Sequence, residues 1–126
     1  MPKEIIHTDK APKPHGAYSQ AVKAGGFVFV STQGPTDPAT RQMAGDSIQD
    51  QTRQCLTNIE AVLRAAGSSL DKVVSTTFTL GELQDFAGMN EEWGKWFPTD
   101  PPTRQGSVMP IPVKGMKVAV SAIAEA

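Results

Sequence analysis

The chain has 126 residues, 12 basic against 13 acidic, and a formal net charge of −1, which is length enough for one hydrophobic core and not for two of comparable size. With 39% hydrophobic and 20% charged residues, the composition excludes a disordered chain, and its balanced charge argues against wholesale binding of phosphate backbones. No apolar run approaches the roughly 18 residues needed to cross a bilayer, and Met1-Pro2-Lys3-Glu4 lacks the apolar stretch of a secretory signal. The lone Cys55 has neither a disulfide partner nor the companions of a structural zinc site. The expectation is a single cytoplasmic domain over residues 1–126, with no metal and no membrane contact.

In chain order, β-branched and aromatic residues predict strands at Glu4–His7, Gln20–Lys23 and Phe27–Thr32, with Gly25-Gly26 as a hairpin turn between the last two. Pro35–Gly45 reads as a loop. From Ser47 to Ala66, Ile48, Thr52, Cys55, Leu56, Ile59, Val62, Leu63 and Ala66 recur at helical spacing, so a helix with one buried stripe is expected. Asp46 or Ser47 can cap its start, and Gly67 can take the left-handed conformation that ends it. The next strand is expected at Lys72–Leu80. A second helix is predicted over Glu82–Trp96 from Leu83, Phe86, Ala87, Asn90, Trp93 and Phe97, stopped by Pro98. Strands at Thr103–Met109 and Lys117–Ala124 complete the order βββαβαββ, an α+β pattern. Two helices cover one sheet face, yet Phe27-Val28-Phe29-Val30 and Val118-Ala119-Val120 place apolar or small residues on both. The second face therefore calls for another copy of the chain in a closed oligomer.

Few residues offer chemistry. Arg104 comes after the stiff segment Asp100-Pro101-Pro102 and opens a strand, where its planar fork could grip a carboxylate in bidentate fashion; the plainer reading is an arginine that tethers a loop. Tyr18, in His15-Gly16-Ala17-Tyr18-Ser19-Gln20, is either a core or interface tyrosine or one that sets a ring and hydroxyl beside a substrate. Cys55 lies on the buried stripe and reads as a small hydrophobe. His7 and His15 lack an evident Ser or Cys partner, which argues against a hydrolytic triad. Glu82, Asp85, Glu91 and Glu92 read as a solvated helix face, and Trp93 and Trp96 as packing residues, one of which could edge a pocket. No glycine-rich phosphate loop is present, so no nucleotide cofactor is expected.

Several stretches resemble, in order and spacing, the Rid (YjgF) family of enamine/imine deaminases: Gly16-Ala17-Tyr18-Ser19-Gln20, Val30-Ser31-Thr32-Gln33-Gly34-Pro35, Gln51-Thr52-Arg53-Gln54 with Asn58-Ile59 and Ala65-Ala66-Gly67, Asp85-Phe86 with Asn90, Pro102-Thr103-Arg104, and Ala122-Ile123-Ala124. The resemblance implies a chorismate-mutase-like α+β fold, a mainly antiparallel six-stranded sheet with both helices on one face, and a homotrimer whose sheets form an inner barrel with pockets at the subunit interfaces. It implies that Arg104 holds a substrate carboxylate, with Tyr18 lining the pocket from a neighbouring subunit. Backbone groups around Ser31, Thr32 and Gly106 would then position the substrate nitrogen or a water. The implied activity is hydrolysis of reactive acids such as 2-aminoacrylate and its imine tautomer to a 2-keto acid and ammonia, a reaction in which holding the carboxylate and orienting a water suffices and no cofactor takes part.

Three departures stand against that pattern. Ala119 replaces a glutamate thought to assist proton transfer, Gly106 replaces a cysteine often found there, and Thr32 stands where a glycine commonly lies. General acid–base help is worth roughly 10²- to 10⁴-fold, so the resemblance leaves open a slow deaminase or a non-catalytic carboxylate binder. The rim Met109-Pro110-Ile111-Pro112 leaves open a different imine or carbonyl substrate. RNA cleavage, ascribed to some family members, finds no interleaved basic and aromatic patch here, and nucleic acid is not expected as a partner.

Overall fold

Alternation along Phe27–Gln33 sends Val28, Val30 and Gln33 to a buried face while Phe27 and Phe29 face outward, and this period-two pattern organises the sheet. The computed structural model describes residues 2–126, and its strands are β1 (Glu4–Ile6), β2 (Ala21–Ala24), β3 (Phe27–Gln33), β4 (Val73–Leu80), β5 (Thr103–Val108) and β6 (Val118–Glu125). Helix α1 (Ile48–Ala65) lies between β3 and β4, and α2 (Phe86–Trp96) between β4 and β5. The six strands form one sheet in the order β1-β2-β3-β6-β4-β5. Every neighbouring pair is antiparallel except β4 and β5, which run parallel. The α+β architecture and its element order are those the sequence predicts.

Gly25 and Gly26, at φ +61° and +86°, make the tight turn that joins β2 to β3. Ser47 caps α1, its hydroxyl accepting from the Asp50 N–H at 3.0 Å, and Gly67 at φ +80° lies just past the helix end. All eight expected stripe residues of α1 are buried, where the helix packs over β3 and β6. Ile59, Val62 and Leu63 thereby close the core against Val28, Val118, Val120, Ala122 and Ala124. Among the described residues no helix is long and apolar enough to cross a membrane.

The second helix departs from expectation in two respects. Leu83–Asp85 forms a separate 3-10 turn, and the α-helix begins only at Phe86. Its buried face is Met89, Glu92 and Trp93, with Phe97 just beyond, while Leu83, Phe86, Ala87 and Asn90 are exposed. Glu92 was expected on a solvated face but is buried, because it ties α2 to α1. Its carboxylate accepts from Arg53 Nε and Nη2 at 3.3 and 3.2 Å and from Trp96 Nε1 at 3.0 Å, with Lys95 Nζ at 3.5 Å. Burial pushes this carboxyl up, but the hydrogen bonds from Arg53 and Trp96 and the positive charges of Arg53 and Lys95 outweigh it, leaving its pKa below the ordinary value.

On the face away from the helices β3 and β6 carry apolar side chains, whereas β4 and β5 carry Ser75, Thr77, Thr79, Thr103, Gln105 and Ser107. Phe27 and Phe29 stand exposed at 40% and 44%, and Ile123, opposite Phe29 in the β3–β6 ladder, shares their face.

Candidate functional site

Arg104 is the second residue of β5, the edge strand paired in parallel with β4. The approach to it is tightly held. Asp100 takes φ +46°, a left-handed conformation that aspartate tolerates, and Pro101-Pro102 stiffens the entry to β5. On the strand, Thr76 Oγ1 donates to the Thr103 carbonyl at 2.7 Å, and Thr103 Oγ1 donates to the Val74 carbonyl at 3.1 Å. One residue beyond Arg104, Gln105 Nε2 donates to Ser75 Oγ and Thr77 Oγ1 at 3.2 and 2.8 Å. Side-chain bonds therefore brace the strand on both sides of Arg104.

Register puts Arg104 opposite Thr76 and Gly106 opposite Phe78, so both lie on the helix-bearing face, beneath α2. There the guanidinium enters an aromatic enclosure. Its Cζ lies 5.3 Å from the Trp93 ring centroid, 5.5 Å from that of Phe86 and 5.7 Å from that of Phe78. Cation–π attraction favours this placement. Nη1 donates to Asn90 Oδ1 at 2.9 Å, while the residue as a whole stays exposed. Among the described residues no carboxylate pairs with it, so the rest of its fork is free to take an anion in bidentate fashion.

Gly106 has a steric reason to be glycine. A Cβ there would come within 2.5 Å of the Phe78 ring, so that ring fills the space a cysteine side chain would need. Asn90, Phe78 and Phe86 were not singled out from the sequence as site residues. The signal was nevertheless present: Phe86, Asn90 and Trp93 stand at i, i+4 and i+7 on one helix face, which aims them together at whatever strand lies below.

The remaining expected residues gather elsewhere. Tyr18, Thr32 and Ala119 share a cavity of about 790 Å³, walled also by Met43, Val113 and Met116, and neither Arg104 nor Gly106 is among its walls. Tyr18 is 48% exposed, its hydroxyl accepting from the His15 N–H at 3.3 Å. Ser31 Oγ donates to the Ser19 carbonyl at 2.6 Å, and the Ser31 N–H donates to Gln20 O at 2.9 Å. Ser31 thus pins the segment that carries Tyr18. Within one chain the expected residues therefore fall in two separate places, an arginine cradle on the β5 edge and a cavity near the start of β6. Cys55 is buried, and burial pushes its thiol far above the ordinary range, which makes it inert. Among the described residues no group of three or more His, Cys, Asp or Glu side chains is placed to hold a metal ion.

Comparison with known proteins gives one consistent result. The family model described as Endoribonuclease L-PSP matches residues 8–126. A RutC family protein of Pyrococcus horikoshii is 45% identical over 122 residues, covering 97% of each chain. The chloroplastic Reactive Intermediate Deaminase A of Arabidopsis thaliana is 40% identical over 115 residues, covering 89% of this chain and 62% of that one. Among solved structures, YyfA of Yersinia pestis, described as a protein of unknown function of the conserved Rid family, superposes with a TM-score of 0.94 at 35% identity, covering 99% of this chain and 100% of that one.

Proposed function

The chain belongs to the Rid family, within the endoribonuclease L-PSP family, and on that premise we propose that it hydrolyses reactive enamine and imine acids to 2-keto acids and ammonia. The observation that carries the reading is the exposed Arg104 guanidinium, anchored by Asn90, walled by three aromatic rings and unpaired with any carboxylate among the described residues. Aromatic walls lower the local dielectric and strengthen an ionic contact, which suits the carboxylate of a small organic acid. With that carboxylate fixed, the protonated imine carbon is already electrophilic. Water adds to it, the new C–O bond forming as the C=N π bond opens and the water giving up one proton; the nitrogen of the resulting carbinolamine takes a proton, and the C–N bond then breaks to release ammonia as the hydroxyl loses its proton and the keto C=O forms. Positioning alone supplies much of such a rate enhancement.

The second half of the site comes, in this reading, from another copy of the chain in a trimer. The exposed apolar face of Phe27, Phe29 and Ile123 favours such an assembly. It would bring Tyr18, Thr32 and Ala119 of one copy toward Arg104 and Gly106 of the next. Ala119 offers no carboxylate to carry protons, so turnover is expected to be slow. The same residue favours a second reading, a carboxylate binder without catalysis, which saturable keto-acid binding with no rate enhancement would identify. The test is the hydrolysis of freshly generated 2-iminopropanoate against its spontaneous rate. Wild type should accelerate it, and Arg104→Ala should return it to the spontaneous rate with the assembly size unchanged. An Arg104→Ala protein as fast as wild type would sink the proposal.

A further inference from the structure

The cavity that holds Tyr18, Thr32 and Ala119 takes much of its wall from two loops far apart in sequence, residues 34–43 and 113–116. The loops interlock. A Cβ on Gly34 would come within 2.6 Å of the Met116 methyl carbon, and one on Gly115 within 3.8 Å of Met43 Cγ, so the methionine of each loop packs against a glycine of the other. Both methionines are walls of the cavity.

Gln51, near the start of α1, is 1% exposed and is not itself a wall. Its side-chain amide nevertheless meets both loops. Nε2 donates to the Gly45 carbonyl at 3.2 Å and to the Gly115 carbonyl at 2.7 Å, while Oε1 accepts from the Lys117 N–H at 2.8 Å. Both donors of the amide are thus spent, one on each loop. Gly45 lies two residues past Met43 and Gly115 immediately precedes Met116, so each bond holds the backbone beside a methionine wall. About two turns further along α1, Asn58 Nδ2 donates to the Gly34 and Thr36 carbonyls at 3.1 and 2.9 Å, which fixes the first loop at its start. Among the described residues Gln51 is the side chain that hydrogen-bonds to both loops.

We infer that Gln51 is a positioning residue for the ligand: by tying both loops to α1 it sets the places of Met43 and Met116, and with them the shape of the cavity that receives the substrate beside Tyr18 and Thr32. The inference rests on the deaminase reading above for the identity of that ligand, and adds to it a residue that never touches substrate. Loss of the amide leaves two carbonyls and one N–H without their partner, and the loops move to satisfy them. Binding then weakens through the displaced walls, while the chemistry at the imine carbon, with the carboxylate held by Arg104, is nearly unchanged.

The experiment measures kcat and KM for 2-iminopropanoate and, separately, equilibrium binding of 2-ketobutyrate, for wild type and for Gln51→Leu, a change of similar volume that removes all three hydrogen bonds. Gln51→Leu should raise KM and the keto-acid Kd about tenfold with kcat within about twofold of wild type, at unchanged assembly size. Lys23→Ala, which loosens the other end of α1 by removing the Lys23 Nζ bond to the Ala66 carbonyl at 3.0 Å, should leave KM and Kd at wild type. Wild-type KM and Kd in Gln51→Leu, a fall in kcat as large as the rise in KM, or an equal effect of Lys23→Ala would overturn the inference. A changed assembly size would overturn it too, by assigning the loops to contact between copies. If Gln51→Leu does not fold, Met116→Ala, at a half-buried position, decides instead: KM and Kd should rise severalfold, and wild-type values would overturn the inference. A wild type that binds the keto acid more tightly than Gln51→Leu yet accelerates no imine would remove the deaminase reading and leave this inference standing, whereas a wild type that neither hydrolyses nor binds would remove both.

Discussion

Replacing Gly106 by alanine asks whether the Phe78 ring and the β5 backbone occupy one shared space. A methyl carbon at residue 106 would lie 2.5 to 2.6 Å from three atoms of that ring, against roughly 3.5–4.0 Å for an ordinary carbon–carbon contact. The ring must retreat by about 1 Å. It has little room to do so, being buried with its centroid 6.3 Å from those of both Phe86 and Trp93. Overpacking of this kind costs about 1–3 kcal/mol. Because the Arg104 guanidinium lies over the same ring at 5.7 Å, carboxylate binding should weaken about tenfold as the cradle shifts. Urea unfolding at fixed protein concentration measures the first effect as a lower midpoint at unchanged slope. Titration with 2-ketobutyrate, followed by tryptophan fluorescence, measures the second. In a Phe78→Val background, Gly106→Ala should cost about 1–2 kcal/mol less than it does alone. Strict additivity, or a Gly106→Ala protein with wild-type midpoint and affinity, refutes the shared-space argument.

Three further outcomes are expected. The Glu92 carboxyl has a folded pKa below its unfolded value, so its contribution is fully present above the ordinary carboxylate range and is lost as pH falls through the lowered value; Glu92→Gln should cost about 2 kcal/mol at neutral pH and flatten the acid limb of a stability–pH curve, and an unchanged acid limb would remove Glu92 from the account. Ala119→Glu, which restores a carboxylate beside Tyr18 and Thr32 in their shared cavity, should raise kcat for 2-iminopropanoate by about ten- to a hundredfold, and no gain would mean that proton transfer does not limit the rate. Ser47→Ala, which removes the cap on the Asp50 N–H, should lower unfolding free energy by about 1 kcal/mol, whereas Ser47→Asp should leave it near wild type.

Much of the fold was readable because its signals are local. The stripe from Ile48 to Ala66 needs only helical periodicity, and alternation along Phe27-Val28-Phe29-Val30 shows apolar side chains on both sheet faces, though only the structure shows that the rings are those facing away from the helices. Helix α2 was less legible, since Leu83 and Phe86 look like core residues by spacing and hydropathy. Their exposure comes from position: Leu83 opens the 3-10 turn after β4, and Phe86 opens α2 with its ring 5.5 Å from the Arg104 guanidinium. Glu92 defeated the rule that helical acids face water because its partner Arg53 stands 39 residues away on α1, a pairing no local pattern contains. The same limit applied to the site. Arg104 could be named from the stiff segment before it and from family resemblance. The link between Gly106 and Phe78 depends on strand register, 28 residues apart in sequence, and Asn90 acquires its role only once α2 is laid over β5.

The central claim is that Arg104 acts as a shaped carboxylate clamp and not merely as a positive charge. Arg104→Lys separates the two, because lysine keeps the charge but has no planar fork to bond Asn90 and a carboxylate together. Hydrolysis of freshly generated imine by wild type and Arg104→Lys, compared side by side at equal protein concentration, is therefore the most direct measurement. The account predicts at least about a tenfold loss of kcat/KM in the lysine variant at unchanged assembly size; equal rates would contradict it.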